Sequence, residues 1–569
     1  MGTRTPETFS KNIDQMKTTV KKRGFFSLPF LWRMLLKEGS LVGVIVFSTV
    51  STLLAMAVPV MTGRFIDSIG DVDVAIIALF ALLITAAASL CAELSGRWYA
   101  SMKFRRLKLC LQKALAEEFA AINPGRMGEF TSGEMVAKLL RDAEAVASLV
   151  QDIAPMAAMT VVGIACSFYI TFMRSISIGA MMVLLAMACV LLLMRFSHRI
   201  ARANRSNRTA MDRCMSILVE MVDNLPWLKA MSAVCLALSR MGGAFERANS
   251  AGWNLDKENL WFESSVKGIM FLGEATVLSV AGLMAVKGRV SVGDVVMFQM
   301  LFAQTLGSIS TFFRLMPSMG YVNEAVSSIG ELIDFDGKEH DEHKRKFDTL
   351  NGRVELRNVS FAYTLGERPV LNGMSFALKG NECCVLVGAN GSGKTTLAKL
   401  VGAFFEPNYG EVLFDGVDWR EIDRESLRRK ISFLFQEPKV FTGTLRENVA
   451  LGEDFSDKEL SEVLTVCGLS QFVKSHTEGL DYHISSNGLS GGERQRIAAA
   501  RALIRKPSIL ILDEPGNHID ASGFGDLKKI IESANGQSAI LLITHDSRLS
   551  AIADRVVSIK KERNQNEGS

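Results

Sequence analysis

The sequence Gly388-Ala389-Asn390-Gly391-Ser392-Gly393-Lys394-Thr395 matches the phosphate-binding pattern G-x-x-x-x-G-K-[ST] at every fixed position. An apolar segment, Glu382 to Val387, precedes it, and a helix-forming segment starts at Thr396. Glycines let backbone N–H groups approach a phosphate chain, and the start of a helix presents its positive end there. The pattern therefore predicts an α/β nucleotide-binding domain. In it, Lys394 neutralises the β and γ phosphates of ATP and Thr395 is a ligand of Mg²⁺.

Two later segments fit the same sheet. The apolar run from Ser508 to Leu512 ends in Asp513 and Glu514, and its spacing from the glycine-rich loop suits two parallel neighbouring strands. We expect Asp513 to hold Mg²⁺ through water and Glu514 to polarise the water that attacks the γ phosphate. His545 follows a further buried strand, Ala539 to Ile543, and a histidine there is well placed to contact a γ phosphate.

The first 317 residues contain long apolar runs that predict membrane spans, because about twenty uncharged residues in a helix cross a bilayer core. The six predicted spans fall within Leu41–Met61, Val74–Ala92, Ile153–Met173, Ile176–Met194, Gly268–Val286 and Val295–Pro317. Buried helices of soluble proteins rarely run so long without charge. The fold class predicted for the whole chain is therefore multidomain: an all-α domain of six transmembrane helices followed by an α/β P-loop NTPase domain.

Composition agrees with a membrane part joined to a soluble part. The 569 residues are 48% hydrophobic and 22% charged. The net charge of +4 is too small to indicate nucleic acid as a partner. The nine cysteines form no C-x-x-C pair, so a zinc module or disulfide scaffold is not predicted.

Orientation follows from basic residues, which resist translocation and so mark the cytoplasmic side. They cluster before the first span, between the second and third, and after the fourth. Both termini should then be cytoplasmic. The long inner connections predict helices that extend into the cytoplasm, with breaks at Asn123-Pro124-Gly125 and at Gly242-Gly243. These breaks could transmit force, or they could be ordinary hairpin tips.

Polar residues inside the spans are candidates for a transport path, because a polar side chain left in lipid is costly. They are Glu274 in the fifth span and Gln299, Gln304 and Arg314 in the sixth. A contact between helices is an equally good interpretation of Glu274.

Together with Leu489-Ser490-Gly491-Gly492-Glu493-Arg494-Gln495, these motifs resemble the ATP-binding cassette (ABC) transporters, and the membrane half resembles their exporter type. The resemblance implies that Tyr363 stacks on adenine and that Gln436 senses Mg²⁺. The nucleotide site would comprise Tyr363, Gly388 to Thr396 and Gln436. Thr395, Gln436 and Asp513 would hold the metal, and Glu514 and His545 would be catalytic. Ser490, Gly491, Gly492 and Glu493 would act on the nucleotide of a second cassette.

This one chain carries one cassette, so the resemblance implies a second copy or a homologous partner chain in the membrane. Two segments depart from the family pattern. Ile484 to Gly488 lacks the glutamate usual before the signature, and Gly516 to Asp520 keeps only the aspartate of the D-loop, Asp520. In the family, the first segment contacts the inner loops of the membrane domain, and the second faces the opposite nucleotide site. The departures therefore affect the coupling contact and the communication between the two nucleotide sites.

The expected function is an ATP hydrolase coupled to transport, which exports a peptide, siderophore, lipid or drug-like solute across a bacterial-type inner membrane by alternating access. The alternatives are an importer on the same scaffold, such as a siderophore importer, and an ATP-gated channel or regulator. The predicted domains are an N-terminal segment at 1–38, a transmembrane domain at 39–333, a solvated linker at 334–352 and the nucleotide-binding domain at 353–569.

Overall fold

The computed structural model describes residues 35, 41–339, 341, 344–363, 368–485, 488–516 and 521–559. Within these ranges, the side chains of residues 193, 197, 314, 316, 317 and 521–523 are not described. Apart from Leu35, the predicted N-terminal segment at 1–38 lies outside the described residues. The chain divides into two compact units. The membrane unit comprises Met1–Phe119 and Ser132–Phe335, and the cassette unit comprises Ala120–Thr131 and Asp336–Ser569.

The described part of the membrane unit consists of helices and short connections. Among the described residues, six helices are long and apolar enough to cross a membrane. They are α1 (Leu41–Asp67), α2 (Val72–Ala120), α3 (Ser132–Arg174), α4 (Ile176–Asp223), α6 (Val234–Val286) and α7 (Val292–Ile333), and the short α5 (Leu225–Ala230) lies between α4 and α6. Each predicted span falls inside one of these helices, Pro317 being the last residue of the sixth. The helices run well beyond the apolar segments, as the helix-forming inner connections predict.

The second inner break lies elsewhere than predicted. Gly242 and Gly243 are inside the continuous helix α6, so the prediction of a break there was wrong. The chain turns instead at α5, which has a proline at its start, and Asn224 ends the preceding helix. Proline fits the first turn of a helix because its missing N–H is not needed there, whereas glycine inside a packed helix lowers stability without breaking it.

The C-terminal end of α1 is fixed against the start of α7. Ser291 and Asp294 form a capping box at the start of α7. The carboxylate of Asp67 accepts from the Gly293 N–H at 2.8 Å and from the Ser291 hydroxyl at 2.6 Å. Gly293 lies so close to α1 that a Cβ atom on it would meet the Gly63 carbonyl oxygen at 2.0 Å. Only glycine permits this approach of two helix backbones.

The cassette unit is built on a parallel sheet of five strands in the order β11-β3-β10-β9-β6. The strands are β3 (Cys383–Gly388), β6 (Ile431–Leu434), β9 (Ile509–Asp513), β10 (Ala539–Ile543) and β11 (Arg555–Ile559). The strands that carry the glycine-rich loop and Asp513 share this sheet, but they are not neighbours as predicted. Strand β10 lies between them and pairs in parallel with both.

A second sheet packs against the first around a common apolar core. It has the order β2-β1-β4-β5, with β1 (Val354–Phe361), β2 (Leu371–Leu378), β4 (Tyr409–Phe414) and β5 (Val417–Asp418), all antiparallel. The two-residue strands β7 (Gly443–Thr444) and β8 (His483–Ile484) form a separate pair. The helices of this unit are α8 (Lys394–Val401), α9 (Arg424–Arg428), α10 (Leu445–Ala450), α11 (Asp457–Val466), α12 (Ser470–Ser475), α13 (Gly491–Ile504), α14 (Ala521–Ala534) and α15 (Ser547–Ser550).

The tip of the first inner connection belongs to the cassette unit. It is a 3-10 helix, Pro124–Glu129, whose start is capped by the side chain of Asn123. The Asn123 N–H donates to the Gly337 carbonyl at 2.9 Å, and the Glu339 N–H donates to the Ala121 carbonyl at 2.8 Å. The predicted linker is therefore paired to this tip over 336–339, with Gly337 buried, rather than freely solvated. Hydrogen bonding to a neighbouring segment satisfies backbone groups that a free linker would leave to water.

Candidate functional site

The glycine-rich loop forms the centre of the site. It joins β3 to α8, and the left-handed backbone of Gly391 (φ +75°) and Gly393 (φ +92°) gives it a tight turn. Gly388 is packed so closely that a Cβ atom would meet the Ile559 carbonyl oxygen at 2.5 Å. The ammonium of Lys394 is buried and donates to the carbonyls of Gly388 at 2.9 Å and Ala389 at 3.1 Å. The loop thus places a buried cation at the start of a helix, where anions bind.

Asp513 ends β9 opposite the start of α8. Its Oδ1 lies 3.4 Å from the Thr395 hydroxyl, although the two residues are far apart in sequence. Burial raises the pKa of Asp513 above its usual value; the Thr395 hydrogen bond opposes this and the adjacent Glu514 carboxylate adds to it. A second charge so close to a buried carboxylate indicates a site that binds a cation.

Glu514 has a left-handed backbone, φ +46°, which is unusual for a residue with a side chain. Its N–H donates at 3.0 Å to the carbonyl of Ile543, the last residue of β10. The side chain accepts from the Gln436 amide at 2.8 Å, and its other oxygen lies 3.6 Å from His545 Nε2. Three predicted site residues, on segments that follow three different strands, therefore meet at this carboxylate.

Tyr363 follows β1 and lies near the glycine-rich loop. Its hydroxyl is 3.0 Å from the Thr396 hydroxyl. Its ring packs edge-on against Phe361 and Phe405, with centroids 5.2 and 5.4 Å away, and about half of the side chain remains exposed. An aromatic ring that is held at its edges and open on its face can stack on a base. The contact with Phe405 was not predicted, because its sequence carries no motif.

The predicted signature forms the start of α13. Ser490 caps this helix, and the carboxylate of Glu493 accepts from the Ser490 N–H at 2.8 Å and from its hydroxyl at 2.7 Å. Partial burial raises the pKa of Glu493, but the hydrogen bonds from Ser490 outweigh it and hold the pKa below its usual value. Gly491 and Gly492 form the first turn with no side chains in the way, so the helix start is open to an anion.

The structure assigns a contact to Gln495 that sequence analysis missed. Its side chain is 6% exposed, and its amide donates to the carbonyl of Pro515, the residue after Glu514. The sequence signal was available, since Gln495 lies within the quoted signature. Its partner could not be read from the sequence because Pro515 lies 20 residues further along the chain.

The candidate transport residues are placed in the membrane helices. Glu274 in α6 is half-buried and has no hydrogen bond or ion pair with any described residue, so the helix-contact interpretation finds no partner there. Gln299 and Gln304 in α7 are also half-buried. The side chain of Arg314 and the whole of Asp520 lie outside the described residues. No hydrogen bond among the described side chains joins Glu274 to Gln299 or Gln304.

The donors available to a metal are few. Among the described residues, no three His, Cys, Asp or Glu side chains are grouped as metal ligands. Magnesium commonly takes one or two protein oxygens and completes its shell with phosphate oxygens and water. Thr395 and Asp513 supply hard oxygen atoms side by side at the loop, which fits that mode of binding.

Comparison with known proteins gives a family match in each unit. A model described as the ABC transporter transmembrane region matches residues 41–309, and a model described as ABC transporter matches residues 371–517. Together they cover most of the chain, and each falls where the sequence predicted its domain. The two regions therefore occur in one chain in the order membrane part, then cassette.

Curated relatives agree. A putative export ATP-binding/permease protein of Rickettsia bellii is 26% identical over 450 residues, which are 78% of this chain and 77% of that protein. An ATP-dependent lipid A-core flippase of Nitrosococcus oceani is 25% identical over 97% of this chain and 92% of its own length. A flippase of the same name from Chromobacterium violaceum is 34% identical over about half of each chain, 52% and 51%.

Proposed function

The chain belongs to the ABC transporter family and has the exporter architecture, and from this premise we propose that two copies form a pump that moves an amphipathic lipid across the inner membrane. ATP-driven export, with ATP hydrolysis coupled to transport, is the activity of the family to which it belongs. The importer, channel and regulator alternatives are not favoured, because the relatives described above are named as an export protein and as flippases. The cargo, the partner, the metal and the roles of single residues are our proposals.

The proposed catalytic role rests on the contacts of Glu514 with Gln436 and His545. The Gln436 amide lies 2.8 Å from one carboxylate oxygen of Glu514, and the His545 ring lies 3.6 Å from the other. A carboxylate held from both sides can orient and polarise a water molecule instead of rotating freely. We assign Glu514 this role, and His545 the contact with the γ phosphate.

The glycine-rich loop would hold the phosphates. Backbone N–H groups of the loop would bind phosphate oxygens, and Lys394 would exchange its carbonyl partners for phosphate oxygens. The buried hydroxyl of Ser392 has no hydrogen-bond partner among the described residues, so it can serve a ligand at no cost to the fold. Tyr363 would stack on the base.

Thr395 and Asp513 would hold Mg²⁺, with Gln436 as a third contact. When bound, the cation neutralises charge that develops on the phosphates during transfer. The two protein oxygens lie 3.4 Å apart. Their arrangement makes Asp513 the residue whose loss should remove metal-dependent hydrolysis while leaving the loop intact.

A dimer follows from the single cassette. In the family, the signature of one cassette covers the nucleotide of the other, so Ser490, Gly491, Gly492 and Glu493 would act in the partner's site. Because the catalytic candidates are all present in this chain, two identical copies supply two complete sites. We therefore propose a homodimer, with Asp520 near the boundary between the sites.

The membrane position follows from charge and length. Six helices can span the bilayer, and basic residues cluster in the sequence before the first span, between the second and third, and after the fourth. We place the chain in the inner membrane with both termini and the cassette in the cytoplasm. Glu274, Gln299 and Gln304 would line the path within the bundle, together with Arg314.

The lipid cargo is supported by relatives named as lipid A-core flippases, one of which aligns over 97% of this chain. Half-buried polar side chains within long apolar helices suit an amphipathic cargo, which needs both kinds of surface. Peptides, siderophores and drug-like solutes remain the comparison compounds for the test.

The test uses the full chain in lipid nanodiscs, with its mass determined in the same preparation and its ATPase activity measured against lipids, peptides and siderophores. We expect a dimer of identical chains whose activity rises with lipid A or a similar glycolipid. Stimulation by peptides or siderophores alone would overturn the cargo assignment. A monomer that is inactive until a second protein is added would overturn the homodimer.

Two variants test the site. Glu514→Gln should keep ATP binding and lower turnover by about 100-fold or more, since it removes a general base. Lys394→Ala should weaken nucleotide binding itself. Normal turnover in Glu514→Gln would remove Glu514 from its proposed role.

A further inference from the structure

Gln495 connects the helix that carries the signature to the backbone that carries Glu514. It lies on α13, five residues after Ser490, which is about 7 Å along the helix axis. Its amide donates to the Pro515 carbonyl, and the side chain is almost completely buried. A buried amide with a specific acceptor fixes the position of both groups.

Pro515 needs this donor. Proline has no N–H, so its carbonyl is the only main-chain polar group at this position, and the residue is buried. The preceding Glu514 has a left-handed backbone, which persists only where its surroundings hold it. The hydrogen bonds that hold the backbone of this segment include Glu514 N–H to the Ile543 carbonyl on one side and the Gln495 amide to the Pro515 carbonyl on the other.

Helix α13 can transmit a displacement as a unit. Its buried residues Ile497 and Ala500 pack in the same apolar cluster as Leu510 and Leu512 of β9, the strand that ends at Asp513. Packed helices move as rigid bodies rather than bending locally. A shift at the Ser490 end would therefore reach Gln495 one turn later, and through it the segment after Glu514.

We propose that Gln495 is a positioning residue, which aligns Glu514 when the signature at the start of the same helix seats on the nucleotide of the other cassette. Hydrolysis in one site would then depend on binding in the other through a single side chain. This inference rests on the proposed roles of Glu514 and of the signature. It adds Gln495 as the residue that connects the signature to Glu514. This connection lies within one chain and does not involve Asp520.

The main variant is Gln495→Met, which keeps length and volume but removes the donor. We expect kcat for ATP to fall at least 10-fold while KM stays within about twofold, because a misplaced catalytic group costs turnover and leaves binding intact. The dependence on ATP concentration should also lose cooperativity between the two sites. Gln495→His, which restores an N–H donor, should recover part of kcat.

The matched control is Gln537→Met, the same substitution at an exposed position of the same unit, and it should leave kcat and KM unchanged. Thermal unfolding and ATP binding of each variant are measured in the same nanodisc preparation. If Gln495→Met lowers kcat and raises KM together with a large loss of thermal stability, Gln495 is structural and the proposal is overturned. Unchanged kcat and cooperativity would overturn it as well.

The Glu514→Gln variant separates this inference from the proposed function. If Glu514→Gln abolishes turnover while Gln495→Met resembles the unmodified chain, the role of Glu514 stands and only the role of Gln495 fails. If Glu514→Gln keeps normal turnover, both fail together.

Discussion

Arg428 and Glu339 form a bidentate ion pair that joins helix α9 to the segment paired with the first inner tip. Two guanidinium N–H groups donate to the two carboxylate oxygens at 2.6 and 2.8 Å. Both side chains are largely shielded from water, with 25% and 17% exposed. Residues 336–339 pair with 120–123, so the pair ties the tip at the end of α2 to the ATPase core of the same unit.

Breaking this pair should loosen the tip. We expect Glu339→Gln to lower the unfolding midpoint by about 3 °C, since a shielded charge-assisted pair contributes more than an exposed one. Lipid-stimulated ATPase activity should fall at least fivefold while basal activity stays within twofold. The control is Glu425→Gln, which breaks the exposed pair with Arg429 and should change neither quantity. Equal effects of the two variants would contradict the prediction.

The tip also packs against Phe405, whose ring contacts Tyr363. A Cβ atom on Gly125 would meet the Phe405 ring at 2.5 Å, and the Phe405 ring stacks on Phe361 at 4.9 Å. Gly125→Ala should therefore displace either the tip or the ring. We expect stimulated ATPase activity to fall about fivefold and the KM for ATP to rise. Gly128→Ala places the same methyl group in open space and should have no effect. If Gly125→Ala behaves like Gly128→Ala, the contact does not couple the tip to the Phe405 ring.

Asp513→Asn tests the buried carboxylate. Burial raises the pKa of Asp513, so the folded state binds the proton more tightly than the unfolded state. Its ionised form therefore destabilises the fold above that pKa, and this penalty disappears as the pH falls through it. Without nucleotide at pH 7.5, Asp513→Asn should raise the unfolding midpoint by about 2 °C, and the difference should shrink in acid. Metal-dependent ATPase activity should be lost. A lower midpoint at pH 7.5 would contradict the assignment.

Three thiols of the cassette unit should be inert. Burial raises the pKa of Cys383 and Cys467 to about 12 and that of Cys384 to about 11. Almost no thiolate is then present at pH 8. A maleimide should label the exposed Cys235 in the native protein but label these three only after unfolding. Mass spectrometry of the digested protein distinguishes the positions. Native labelling of Cys467 would show that the helical part of the unit opens.

Glu274→Ala should change stimulated but not basal ATPase activity. Glu274 has no hydrogen-bond or ion-pair partner among the described residues, so we expect the Glu274→Ala chain to fold normally. Glu263→Ala, at an exposed position of the same helix, is the matched control. If both activities of Glu274→Ala fall together with the yield of folded protein, Glu274 is structural.

Much of the site could be predicted because its motifs are local. The loop from Gly388 to Thr395 carries its own strand, turn and helix within a few residues, and the signature carries its own helix cap at Ser490. Apolar length alone located the membrane helices. The predictions that failed depend on alternatives that local sequence does not distinguish. Gly242-Gly243 and Leu225-Pro226 both resemble breaks, and only packing against neighbouring helices decides which one turns the chain.

The sequence by itself determined which residues can bind a nucleotide and which segments can cross a bilayer, because backbone conformation and hydrophobic length depend on neighbours in the chain. Only the tertiary structure decided that β10 lies between the two motif strands and that residues 336–339 pair with the inner tip. It also decided that Gln495 meets Pro515. These contacts join segments distant in sequence, and their geometry depends on how the sheet and helices pack around one core.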